Sequence, residues 1–214
     1  MPSTETDPEE EMAALSRLAS NCTACPLSEG RRNVVFGMGK VKTPLMLIGE
    51  GPGETEDATG LPFVGRAGQL LDQAMRDAGI LRKHLYIANI VKCRATAMEG
   101  SRVLNRPPTP EEVGVCLPLW LEKQISIIKP AVILSIGSPS ANAIIHKGFK
   151  ITQERGQWFE TKYTKYSMAT LHPAYILRMT GESYDINYRL LVADIAAAKE
   201  KARETKNEPR LSLF

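Results

Sequence analysis

The chain has 214 residues, 43% of them hydrophobic, enough for one core with short tails. No apolar run approaches the ~18 residues of a membrane-spanning helix. The N-terminal MPSTETDPEEEM lacks the basic-then-apolar order of a secretion signal, so the expectation is a cytoplasmic protein with no membrane partner. Net charge is +3, yet residues 1–14 hold five acids and no base, which leaves +8 on the remainder. A body that basic is compatible with a polyanion partner.

In chain order, residues 1–14 read as an acidic flexible tail, and a short helix over Glu9–Ser20 carries Met12, Leu15 and Leu18 on one side. Cys22-Thr-Ala-Cys25-Pro26 is a turn that can bring two thiolates together. Arg31–Lys42 reads as a loop or edge strand with a basic face. Leu45–Ile48 is a buried strand, followed by Gly49-Glu50-Gly51-Pro52-Gly53. So many glycines let backbone N–H groups face a ligand. Four acids crowd into Glu50–Asp57, and the stretch closes on Phe63. Ala67–Ala78 has the apolar spacing of a crossover helix stopped by Gly79. Leu85–Val91 is a second strand with Asn89 in the middle of its apolar run, and a polar loop follows to Arg106.

Thr109-Pro110-Glu111-Glu112 is a capping box. It opens a helix that carries Cys116 and Trp120, a core residue on this reading, and ends before Pro130. Ala131–Ile136 is a third strand, Gly137-Ser138-Pro139-Ser140 a tight turn, and Ala141–His146 a helix. Phe149–Phe159 reads as a small hairpin. Tyr166–Leu171 is a fourth strand running into His172-Pro173, and Tyr184 to about Arg203 is a long helix. Residues 15–204 form the domain and 205–214 a C-terminal tail.

Strands alternating with helices predict a three-layer α/β/α fold around a mostly parallel, four-stranded sheet. In such a sheet the carboxyl ends of the strands share one edge, where ligands bind. That edge collects the glycine turn, Phe63, Asn89, Gly137-Ser138 and His172. An amide can pair two-pronged with a heterocycle edge, an aromatic can stack on its face, and a histidine can donate to an oxygen that becomes negative. The four cysteines, Cys22, Cys25, Cys93 and Cys116, form a complete thiolate set in a reducing compartment. Such a set suits zinc or an iron–sulfur cluster, and spacing does not choose between them.

The chain resembles the family 4 uracil-DNA glycosylases, the iron–sulfur branch of their superfamily. The resemblance is carried by C-x-x-C-P-L at Cys22, G-E-G-P-G-x-x-E-D at Gly49, G-x-P-F-V-G at Gly60, N-I-V-K-C at Asn89, R-x-P-T-P-E-E at Arg106, R-G-Q-W at Arg155 and H-P-A-Y-I-L-R at His172. It implies an enzyme that flips deoxyuridine out of DNA and hydrolyses its N-glycosidic bond, leaving an abasic site for base excision repair.

By that resemblance Phe63 stacks on uracil, Asn89 reads O4 and N3–H, and His172 with the backbone at Glu50-Gly51 stabilises charge at O2. Glu50 and Glu56 are candidate catalytic carboxylates beside Asp57. The four cysteines would hold one [4Fe-4S] cluster of structural role. Tyr175, Leu177 and Arg178 match a DNA-intercalating loop, with Ser138 beside it as a further DNA contact. Cytosine presents the reverse donor order to Asn89, so selectivity requires contacts that fix its amide.

The stretch Ala95–Leu104 is several residues longer than in typical members. A related branch that crosslinks to DNA carries a nucleophilic histidine there, but no histidine occurs between His84 and His146, so that chemistry is not expected. The longer loop keeps two other readings open, a glycosylase for hypoxanthine or a modified uracil and a catalytically silent DNA-binding module. The terminal Arg210-Leu211-Ser212-Leu213-Phe214 resembles a sliding-clamp peptide, with Leu211, Leu213 and Phe214 as anchors. The protein is expected to be a monomer.

Overall fold

The computed structural model describes residues 7–205 and 207–208. A five-stranded sheet divides two helical layers. Its strands are β1 (Met38–Gly39), β2 (Leu45–Gly49), β3 (Tyr86–Asn89), β6 (Val132–Ile136) and β7 (Tyr166–Thr170), in the order β1-β3-β2-β6-β7. All pair in parallel except the two-residue β1, which adds an antiparallel edge to the four expected strands.

β2 and β6 are buried along their whole lengths, as expected for parallel strands covered on both faces. Alternation then splits each strand between two cores. Met46, Ile48, Tyr86 and Ala88 face Met12, Trp120, Leu121 and Ile125. Leu45, Leu47, Ile87 and Leu134 face Leu71, Met75, Leu191 and Ile195. The first layer is built from α1 (Pro8–Ser20) and the rod of α5 (Pro110–Cys116) and α6 (Glu122–Ile128); the second holds α4 (Arg66–Asp77) and α10 (Gly181–Glu204). Among the described residues no helix is long and apolar enough to cross a membrane.

Local chemistry accounts for the helix ends. Thr109 and Glu112 exchange side-chain and backbone bonds at 3.2 and 2.7 Å, which is the expected capping box. Pro118 removes one helical donor, and Leu117–Leu121 widens into a π-helical turn that carries the rod past it. α1 begins at Pro8, capped by Asp7, so residues 8–14 are helical. Met12, Leu15 and Ala19 form its buried face. Leu18 is 68% exposed, because it stands about 120° round the helix from Met12.

Two segments depart from expectation. The loop before Arg106 holds an antiparallel hairpin, β4 (Thr96–Glu99) with β5 (Arg102–Asn105), turned at Gly100-Ser101. The span Phe149–Phe159 is not a hairpin. It contains one helical turn, α8 (Ile151–Glu154), and Phe159 makes a single bridge to Ser167. The two phenylalanine rings meet edge-on at 5.6 Å, so they pair by ring packing and not through strand hydrogen bonds. The described residues also form α2 (Leu27–Gly30), α3 (Glu54–Thr59), α7 (Ser138–Ile144), the short α9 (Pro173–Ile176) following β7, and a 3-10 turn at Arg82–His84.

Candidate active site

β2 and β3 end in register, Gly49 beside Asn89. A Cβ on Gly49 would lie 2.4 Å from both the Asn89 Oδ1 and the Phe63 ring. Glycine therefore lets the amide and the aromatic approach each other. Beyond this point opens a cavity of about 340 Å³, walled by Glu50, Gly51, Phe63, Asn89 and His172, and also by Asn105 and Arg106.

Asn89 is 1% exposed, and its Oδ1 is a buried acceptor with no hydrogen-bond partner among the described residues. Buried polar atoms are normally satisfied, so this one suits a ligand's N–H. The strand places Asn89 at its end rather than in its middle. The backbone beneath is fixed from the far side: the buried Lys92 Nζ donates to the Asn89 carbonyl at 2.9 Å and to Gln124 Oε1 at 2.6 Å.

His172 caps α9. Its Nδ1 accepts the Ala174 N–H at 3.1 Å, which leaves the proton of a neutral ring on Nε2. Burial, and then the nearby Arg178 charge, push its pKa down to about 4. The ring is thus a neutral donor at physiological pH. Its centroid lies 6.1 Å from that of Phe63.

Phe63 is buried and holds φ at 54°, in the left-handed region that a bulky residue rarely adopts. Several contacts sustain it. Arg82 Nη1 donates to the Pro62 carbonyl at 2.9 Å, its Nη2 to the Phe63 carbonyl, and its Nε to Asp72 at 2.5 Å. A Cβ at Gly68 would lie 1.8 Å from the Phe63 oxygen, so only glycine admits that carbonyl to the first turn of α4.

The crowded acids separate into different tasks. Glu56 is buried, and its Oε1 accepts N–H bonds from Val64 and Gly65 at 2.9 and 2.7 Å. Asp57 is buried and accepts the Arg32 N–H at 2.9 Å. Glu54 is exposed beside Arg94. Glu50 lines the cavity, and burial raises its carboxyl pKa.

A second hollow of about 390 Å³ adjoins the first and shares Glu50, His172 and Ala174 with it. Ser138, Tyr175 and Arg178 border it. Tyr175 and Arg178 are exposed, with the guanidinium 6.0 Å from the Tyr175 ring. Leu177 is half-buried against the second core. Of the two large apolar side chains on this rim, the tyrosine is therefore the exposed one.

The cysteines gather elsewhere. Cys22, Cys25, Cys93 and Cys116 line one pocket with Arg31, Lys92 and Trp120, and all are free thiols. Trp120 Nε1 donates to the Cys22 sulfur at 3.3 Å, the Lys92 N–H to Cys116 at 3.3 Å and Arg31 to Cys93 at 3.5 Å. Burial raises Cys116 to about 11, against the pull of Lys92. Among the described residues no three His, Cys, Asp or Glu side chains stand close enough to hold a single metal ion. Four converging sulfurs with N–H donors and two cations nonetheless form a donor set suited to thiolates.

The model of the uracil-DNA glycosylase superfamily matches residues 36–196. The chain belongs to that superfamily. It is 43% identical over 192 residues to a type-4 uracil-DNA glycosylase of Thermotoga maritima, covering 89% of this chain and 94% of the relative. A type-4 uracil-DNA glycosylase of Pyrobaculum aerophilum is 38% identical over 78% of this chain and 85% of its own length. The corresponding protein of Archaeoglobus fulgidus is 35% identical over 84% and 91%. These matches set the chain among the type-4 members.

Within this glycosylase scaffold the cavity brings together Glu50, Gly51, Glu56, Phe63, Asn89 and His172. Ser138, Tyr175 and Arg178 flank it. Leu211, Leu213 and Phe214 lie outside the described residues. Sequence reasoning missed Arg82, Lys92 and Gln124, because their partnerships form only when distant segments meet. It also missed the wall at Asn105–Pro108, although Gly100-Ser101 between apolar residues is a hairpin signal.

Proposed function

We propose that the protein is a monofunctional uracil-DNA glycosylase. The observation that carries the reading is the unpartnered Oδ1 of Asn89, buried at the floor of a cavity bounded by Phe63 and a neutral His172. An extruded uracil stacks on Phe63, offers its N3–H to Asn89 Oδ1 and accepts the amide N–H at O4. The bond between C1′ and N1 breaks, with its electron pair moving onto the base. His172 Nε2–H and the Glu50-Gly51 backbone stabilise the charge that grows at O2. Water adds to C1′ and loses its proton, with Glu50 the carboxylate that orients it. Glu56 supports the reaction by holding the Val64–Gly65 backbone behind Phe63. Asn89 is confined by Phe63 across Gly49, which supports selection of uracil over cytosine.

Cys22, Cys25, Cys93 and Cys116 are the proposed ligands of one [4Fe-4S] cluster. When bound it supplies a fixed cross-link between segments. Ser138, Tyr175, Leu177 and Arg178 are the proposed DNA rim, with Tyr175 filling the space of the flipped base. On this reading the enzyme is cytoplasmic and works on chromosomal DNA as a monomer. Residues 15–204 are its catalytic body, and Leu211, Leu213 and Phe214 are its clamp anchor.

The test is single-turnover cleavage of an oligonucleotide with one uracil, beside thymine and hypoxanthine controls. Cleavage of uracil alone is expected. Asn89→Ala and His172→Ala should each slow it by about 100-fold or more while affinity for abasic DNA stays near wild type. Cleavage of hypoxanthine alone would reassign the base, and wild-type rates in both variants would refute the site.

A further inference from the structure

The hairpin β4–β5 stands where nothing in the fold requires it. Its strands pair with each other and with no strand of the central sheet. Met98 and Val103 face each other across it and are 67% and 52% exposed. Leu104, on the other face, is 42% exposed. A Cβ at Gly100 in the turn would meet no atom within 4 Å. A lone two-stranded hairpin is at best marginally stable, so something must fix it.

The fixing contacts sit at its base. The Arg106 N–H donates to the Ala95 carbonyl at 3.0 Å, and its guanidinium bonds the Thr96 carbonyl and, at 2.8 and 2.6 Å, both oxygens of Glu112. Arg94 Nε donates to Asn105 Oδ1 at 2.6 Å. Ala95, Asn105 and Arg106 are also wall residues of the uracil cavity. The hairpin is thus anchored at the cavity mouth, with its apolar tip left in solvent. His172 and Ala174 line the same cavity and also the adjoining hollow that Tyr175 and Arg178 border.

We infer that this hairpin is a second DNA-contact element, which lays Met98 and Val103 against the deoxyriboses flanking the nucleotide delivered to the cavity. The inference rests on the glycosylase reading of that cavity. A nucleotide can enter only with its neighbours spread over both rims, and the hairpin is one of the two. Sugar edges offer apolar contact that is independent of sequence. The exposed Arg102 beside the tip suits a phosphate. A protein partner fits less well: three side chains are far short of the roughly 800 Å² per partner of a stable interface.

The experiment uses the full chain and a fluorescent duplex carrying a central tetrahydrofuran abasic analogue, with affinity read by anisotropy. Met98→Ser with Val103→Ser should bind about five- to tenfold more weakly with an unchanged melting temperature, since both side chains are already exposed. Unchanged affinity overturns the inference. A second measurement avoids the loss of any contact: a photo-crosslinking amino acid at position 103 should attach to the strand beside the analogue, and absence of a crosslink overturns the inference as well. Uracil cleavage by the wild type is scored separately. Wild-type protein that binds the duplex without cleaving uracil sinks the glycosylase reading alone. Wild-type cleavage with unaltered binding by the double variant sinks the hairpin alone.

Discussion

Phe63 holds a left-handed backbone that costs a non-glycine residue about 1–2 kcal/mol, and its neighbours are arranged to keep it there. Arg82 clasps the Pro62 and Phe63 carbonyls, and Glu56 gathers the next two N–H groups. Arg82 is therefore a positioning residue for the stacking ring. Arg82→Gln should weaken inhibition by free uracil and slow cleavage by about tenfold each, roughly 1.4 kcal/mol, and Arg82→Lys should recover part of both. A variant that only lowers the melting temperature, with inhibition by uracil unchanged, would make Arg82 merely structural. None of this clasp was legible in the sequence, because Arg82 lies about a helix and a turn away from Phe63. The acids show the same limit: Glu50, Glu56 and Asp57 read as one cluster, yet backbone N–H groups bond the carboxylates of Glu56 and Asp57 and not that of Glu50, which lines the cavity.

The residue scale also sets the response to pH. His172 is depressed to about 4, so its donor proton persists as pH falls through the ordinary histidine range. Its folded form resists protonation more than its unfolded form does, so this group's stability contribution is full above about 6.5. That contribution declines as pH drops towards 4. Glu50 is raised by burial and protonates earlier than an ordinary glutamate. The acid limb of the cleavage rate should therefore belong to Glu50, and Glu50→Gln should remove it while lowering the plateau. A limb near 6.5 that survives in Glu50→Gln would contradict both assignments.

At the scale of elements, the strands were readable because parallel strands buried on both faces are continuous apolar runs. The capping box marked the start of α5 to the residue. Thr109→Ala should cost about 1 kcal/mol, read from the midpoint of denaturant unfolding. A loss below a few tenths would mean that Glu112, already held by Arg106, keeps the helix start in place without the cap. The hairpin and α8 were misread for opposite reasons. Strands that face solvent on both sides carry no apolar alternation to mark them, and aromatic residues at the two ends of 149–159 imitated strands while packing ring to ring.

At the scale of the whole molecule, the cysteine pocket binds α1, the turn after it, the end of β3 and the rod of α5 to one another. Cys93→Ser should abolish the brown colour expected of the cluster and lower the melting temperature, with the loss of order concentrated in α1 and α2. Hydrogen exchange can locate it. A colourless wild-type protein with the same stability as the variant would refute the cluster. The four cysteines, read in the sequence as one thiolate set, do line one pocket; the N–H donors around them were not legible, since Arg31 and Trp120 are neutral to any motif.

Trp120 reaches the Cys22 sulfur across 98 residues of chain. During synthesis at about 5–20 residues per second, the first two thiols emerge roughly 5–20 s before the helix that shelters them. For that interval Cys22 and Cys25 are a bare dithiol on a growing chain, open to any oxidant. The folded protein half-buries these two thiols and buries Cys93 and Cys116, so its sulfurs are more open to peroxide during synthesis than afterwards. A pulse of oxidant should harm nascent chains far more than finished ones.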